Sequence, residues 1–128
     1  MRINKVHHIA IICSDYQRSK HFYVDLLGFT VLLETYREER KSYKLDLAVG
    51  DNCQIELFSF ENPPERITNP EARGLRHLAF EVDDIEESVK ILMNHGIEIE
   101  PVRFDETTGK RFTFFRDPDR LPLELYER

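Results

Sequence analysis

The sequence predicts an α+β fold built from two tandem βαβββ modules. Three observations carry that expectation. Strand-like and helix-like apolar spacing alternate along the chain, the order of elements runs through twice, and polar residues of the same type recur at matching offsets. Val6 to Cys13 is apolar and β-branched and reads as the first strand. Asp15 stands at a helix N-cap, and Phe22, Tyr23, Leu26 and Leu27 lie at helical spacing within Ser19 to Leu27. Gly28 ends that helix, because a C′ residue without a Cβ takes positive φ freely. Three strands follow: Phe29 to Tyr36, Tyr43 to Val49 and Gln54 to Phe60. The last two are joined by the tight turn Gly50-Asp51-Asn52.

Glu61 to Gly74 is polar and carries Pro63, Pro64 and Pro70, each of which removes a ladder donor, so the segment reads as a connector. It separates module 1, at about residues 1–60, from module 2, at about 75–128. The second run repeats the first: strand Leu75 to Val82, N-cap at Asp83 or Asp84, helix Ile85 to His95, and Gly96 as C′. Strands Ile97 to Phe104, Arg111 to Phe115 and Leu121 to Tyr126 complete it. His8 and His77 each precede an N-cap aspartate, Asp15 or Asp84, by seven residues. From His8 to Glu56 is 48 residues, and from His77 to Glu124 is 47. Modules this small bury too little for a good core alone and are expected to pack on each other or on a second chain.

The 128 residues carry 18 basic against 24 acidic side chains, a formal charge of −6, which argues against non-specific nucleic-acid binding. The longest apolar run, Ile9 to Cys13, is five residues. A transmembrane helix needs about 20, so neither a membrane span nor a secretory leader is expected. Two cysteines, Cys13 and Cys53, are too few for a disulfide scaffold, and a reduced, cytoplasmic chain is the default.

Residues two apart on a strand share a face. By that parity His8, Glu56, His77 and Glu124 each stand on the face opposite a continuous apolar row. The helices cover the apolar rows, and the mixed face lines the concave side of a curved sheet. Two imidazoles and two carboxylates on one surface suit a divalent metal, with room on an octahedral ion for water or substrate. Spacing alone leaves the first ligand between His7 and His8; parity and the offset to Asp15 favour His8. Phe112, Phe114 and Phe115 read mainly as core, with at most one reaching a pocket.

His-His-Ile-Ala-Ile with the Asp15 cap, Phe22-Tyr23 before Leu27-Gly28-Phe29, and Phe115-Arg116-Asp117-Pro118-Asp119 before Leu123-Glu124-Leu125 resemble the vicinal oxygen chelate superfamily over essentially the whole chain. Within it the chain is similar to the glyoxalase I-like (lactoylglutathione lyase-like) proteins. The resemblance implies paired modules in an open, barrel-like curved sheet. It further implies one divalent ion (Ni, Zn, Co, Mn or Fe) per site, held by His8, Glu56, His77 and Glu124, and a homodimer, in some members with sites built from two chains. The family's Asp-Pro-Asp-Gly turn has Arg120 in place of its glycine here, which leaves that turn's geometry open. Where bacterial glyoxalase I enzymes carry glutathione-contacting Arg and Asn, this chain has Ile12 and Phe60, so the thiol of the substrate is also open.

The implied activity is a metal-dependent lyase or isomerase acting through a stabilised enediolate. Glu124 is the first candidate for the proton-moving carboxylate and Glu56 the second. The alternatives are an acyl-CoA epimerase-type isomerase on the same site and a non-catalytic, resistance-type binder of small molecules. Ile12, Phe58, Phe60 and Tyr126 suggest a partly apolar substrate pocket, and Arg73, Arg76, Lys110 and Arg111 offer charges for an anionic substrate.

Overall fold

The structure is a computed structural model describing residues 1–128. The chain divides into two compact units, Met1–Pro64 and Glu65–Arg128. The first unit runs β1 (Ile9–Cys13), α1 (Tyr16–Lys20), a π-helical turn (His21–Leu26), β2 (Thr30–Arg37), a 3-10 turn (Glu38–Arg40), β3 (Ser42–Val49) and β4 (Cys53–Ser59). Its four strands form an open sheet in the order β1-β4-β3-β2, with β1 parallel to β4 and the other pairs antiparallel. The second unit runs β5 (Leu78–Val82), α2 (Ile85–Asn94), β6 (Arg103–Phe104), β7 (Arg111–Arg116) and β8 (Pro122–Glu127). Its sheet repeats the plan in the order β5-β8-β7-β6, again with only the first pair parallel.

Two aspartate caps start the helices. Asp15 Oδ1 accepts from the Arg18 amide at 3.1 Å, and Asp84 Oδ1 from the Glu87 amide at 3.0 Å, each satisfying an amide the helix leaves unpaired. Gly28 and Gly96 end them in the left-handed region, at φ 79° and 76°. The apolar rows expected from parity are the cores of the two units. Ile11, Cys13, Leu45, Leu47, Ile55 and Leu57 are buried together with Phe22 and Tyr23 in the first, and Leu121, Leu123 and Leu125 with Ile85 and Leu92 in the second. α1 packs on β4 and α2 on β8.

The elements depart from expectation in three places. The first helix starts at Tyr16, directly after its expected Asp15 cap, but its second half widens to i→i+5 bonding, Leu27 N to Phe22 O at 3.0 Å. β1 and β5 begin later than Val6 and Leu75, because their parallel partners β4 and β8 take them up only from Ile9 and Leu78. The expected strand Ile97 to Phe104 shrinks to Arg103–Phe104. Pro101 lacks an N–H and restricts the residue before it, so the segment ahead of β6 is pinned at single points, Ile97 N donating to Leu92 O and Glu100 N to Phe114 O, each at 3.0 Å.

No helix is long and apolar enough to cross a membrane.

Candidate functional site

Each unit brings one histidine and one glutamate together by the same construction. In the first, β1 lies parallel to β4 with Ala10 opposite Glu56; His8, two residues before Ala10, shares its face and reaches diagonally across. His8 Nε2 ends 3.0 Å from Glu56 Oε2. In the second, Ala79 lies opposite Glu124, and His77 Nε2 ends 2.9 Å from Glu124 Oε2. The small alanine between the two donors leaves the bridge unobstructed. His7 takes a different place: its Nδ1 lies 2.9 Å from His8 Nδ1, and the two rings meet edge to face. The nitrogen facing the carboxylate thus belongs to His8, and His7 braces its other side.

The surroundings of the pairs differ. Glu56 Oε1 lies 3.0 Å from Lys44 Nζ, which lies 3.0 Å from Asp46 Oδ1. Hydrogen bonds to Asp46 and then to Glu56 hold the Lys44 ammonium above its ordinary pKa. On β7 the residues facing β8 at the corresponding register are Phe112 and Phe114. Phe114 stands opposite Glu124 and meets the His77 ring edge to face at 5.1 Å. Glu124 is only 9% exposed. One pair is therefore flanked by charges and the other by aromatic rings.

No three His, Cys, Asp or Glu side chains gather within either unit. The donor chemistry of each pair nevertheless fits a divalent ion. Two donors bound at about 2.1 Å and at right angles stand about 3.0 Å apart, the separation seen in both pairs.

The remaining candidates scatter. Ile12 is 53% exposed and pairs with Phe58 in the ladder; Phe58 stacks on Phe60 at 6.1 Å and carries the Arg37 guanidinium over its ring at 4.9 Å. Tyr126 stacks on Phe112, and its hydroxyl donates to Asp105 Oδ2 at 2.9 Å. Phe115 is core, Phe114 lines a cavity, and Phe112 lies beneath Arg103. Of the basic candidates, Arg76 lines a cavity. Arg73 is exposed. Lys110 Nζ donates to Arg128 O at 2.7 Å. Arg111 lies on the opposite face of β7, where its guanidinium binds Glu127 at 2.9 and 2.5 Å and Glu86 at 2.8 Å, so it ties α2 to the sheet instead of reaching the site.

That cavity, of about 330 Å³, opens beside His77 within the second unit. Phe114 and Pro122 form part of its wall, and Arg66, Arg103 and Arg116 line it with Arg76. Those three arginines were not among the residues singled out by spacing. Arg116 is two residues beyond Phe114 and pairs in register with Pro122, so parity alone assigns it to the Glu124 face.

Comparison with known proteins bears on the whole chain. The uncharacterized protein YwkD of Bacillus subtilis (strain 168) is 64% identical over 128 residues, all of both chains. The crystal structure of the glyoxalase family protein from Enterococcus faecalis superposes with a TM-score of 0.91 at 52% identity, covering 99% of this chain and 100% of that one. The mitochondrial methylmalonyl-CoA epimerase of Dictyostelium discoideum is 30% identical over 140 residues, 98% of this chain and 80% of that protein. A family model matches residues 5–125, and with two βαβββ modules and a histidine–glutamate pair in each, the chain belongs to the Glyoxalase/Bleomycin resistance protein/Dioxygenase superfamily.

Proposed function

We propose that this chain is a divalent-metal-dependent lyase or isomerase of the glyoxalase I type acting on a small molecule. In this reading His8, Glu56, His77 and Glu124 form one ligand set, and Glu124 moves the substrate proton. One observation carries it: each unit sets an imidazole Nε2 against a glutamate Oε2 from the same register positions, at 3.0 and 2.9 Å. The two pairs complete each other within one chain or across a homodimer.

When bound, a divalent ion supplies charge neutralisation for two adjacent substrate oxygens. The chain's own work is proton movement. Glu124 takes the proton from the carbon beside a carbonyl and delivers it to the neighbouring carbon, so that no proton is gained or lost overall. Its burial beside Phe114 limits water at the carboxylate, and its Oε2 lies 2.9 Å from His77 Nε2. Glu56 is held on its second oxygen by Lys44, which suits a carboxylate that stays in place. The thiol of the substrate is not fixed to glutathione, since Ile12 and Phe60 stand where a glutathione-binding Arg and Asn would be needed.

A second reading, epimerisation of an acyl-thioester α-carbon, draws on the 30% identity to the Dictyostelium epimerase. There Glu124 and Glu56 serve as the two opposed bases. The deciding experiment reconstitutes the protein with Ni, Zn, Co, Mn or Fe and assays it against methylglyoxal hemithioacetals of several thiols and against acyl-CoA epimers. Glu124→Gln is expected to keep its metal and lose at least about 100-fold in proton transfer. Full activity in that variant overturns the role of Glu124. Purified protein without stoichiometric metal favours a non-catalytic binder of small molecules.

A further inference from the structure

The cavity beside His77 has a charge pattern that the metal reading does not use. Four arginines and two glutamates, Glu71 and Glu100, line it, which leaves two positive charges in excess. The hydrogen bonds say where that excess sits. Arg76 Nε donates to Glu71 Oε1 at 2.5 Å, and Arg103 is paired with Glu100 at 3.4 Å while lying over the Phe112 and Phe114 rings at 5.2 and 5.6 Å. Arg66 donates only to backbone oxygens, those of Leu75 and of Arg76, the latter at 3.1 Å, so its charge is uncompensated. Arg116 has no ion pair and no side-chain hydrogen bond at all. The two free charges therefore belong to Arg66, which clamps the backbone just ahead of His77, and to Arg116, an exposed side chain that lines the cavity.

An unpaired guanidinium presents parallel N–H donors matched to a carboxylate or phosphoryl group. Phe114 and Pro122 give the same cavity an apolar wall. Its volume is at the small end of the range for ligand pockets.

We propose that this cavity is an anion subsite for a small substrate bearing a doubly charged, phosphate-type oxyanion, with Arg116 as its principal contact and Arg66 as the second charge. The inference rests on the proposed function only in placing the anion next to the reacting carbon; binding of the anion itself stands apart from the metal.

The test uses the full chain after chelator treatment, with inorganic phosphate and acetate as probes, followed by calorimetry and by the NMR signals of the arginine Nε–H groups. Phosphate is expected to bind saturably, more tightly than acetate, and to shift the Arg116 signal. Arg116→Gln is expected to weaken phosphate at least about tenfold, Arg116→Lys less, and Arg40→Gln, on the exposed turn of the other unit, less than about twofold. Equal loss in the Arg116 and Arg40 variants, equal binding of acetate, or no saturable phosphate binding overturns the proposal. Metal titration of the same variants separates the two readings. Phosphate binding in a chain that takes up no metal leaves the subsite standing and removes the lyase, whereas metal uptake without phosphate binding does the reverse.

Discussion

Arg120 occupies φ 67°, the left-handed region where the resemblance places a glycine. The turn keeps its form because Asp117 Oδ1 accepts from the amides of Asp119 and Leu121 at 2.8 and 2.9 Å, and the Arg120 amide donates to Asp117 O at 3.0 Å. An L side chain in that region costs about 1–2 kcal/mol, part of which glycine returns as entropy of the unfolded chain. Arg120→Gly is therefore expected to raise stability by about 1 kcal/mol, read from the denaturant midpoint at unchanged slope. Single residues differ in how much of their role is legible before folding. His8, Glu56, His77 and Glu124 are legible because strand parity and a repeated offset act together on them. Arg66 and Arg103 are not, since they come from a loop and a two-residue strand; Arg116 is legible in its face by parity with Phe114, but nothing in spacing says that the three share a cavity. Arg111 shows the converse: charge near a site-bearing strand is no guide when alternate residues point to the other face.

At the scale of the element, Glu34 links β2 to α1. Its Oε2 accepts from Lys20 Nζ at 2.7 Å and from the Tyr16 hydroxyl, while Tyr16 stacks on Tyr43 at 4.2 Å. The hydrogen bond from Lys20, then that from Tyr16, holds the Glu34 carboxyl below its ordinary pKa. A carboxylate depressed in the folded state binds fewer protons there than in the unfolded chain, so its contribution is present above the ordinary carboxylate range and lost as pH falls through the folded value. Glu34→Gln is expected to lower stability near neutral pH and to flatten its decline on acidification. Urea midpoints at about pH 7 and about pH 4 read both, and an unchanged slope against pH would remove the linkage. Strands β3, β4, β7 and β8 are legible in the sequence because polar and apolar residues alternate through much of each, and β2 because an apolar run follows the Gly28 stop. β6 is not, because Pro101 within the alternating stretch Ile97 to Phe104 cuts the ladder without changing the apparent pattern. The start of the first helix is legible from its Asp15 cap, whereas the π turn of its second half is not, because Phe22, Tyr23, Leu26 and Leu27 fit ordinary helical spacing as well.

For the whole molecule, the proposed metal reading turns on whether the two histidine–glutamate pairs take up one ion per chain or two. A shared ion predicts one equivalent per chain, and His8→Ala or His77→Ala alone then abolishes tight binding, with little further loss in the double variant. Independent pairs predict two equivalents, each lost separately. Metal titration of the four proteins distinguishes these outcomes. The division of the donors also bears on how the chain acquires its site. In each unit the first strand is laid parallel against the last, so a histidine finds its glutamate only after the whole module between them has been traversed. Such distant pairing closes slowly compared with the hairpins β3–β4 and β7–β8, because the loop entropy is met before the contact rewards it. During synthesis the imidazole emerges well before the carboxylate, and neither unit has a half-site to offer until its final strand has left the ribosome. If the pairs hold a metal as proposed, a nascent chain captures none on a partly formed module, and the ion would arrive as the last part of the fold.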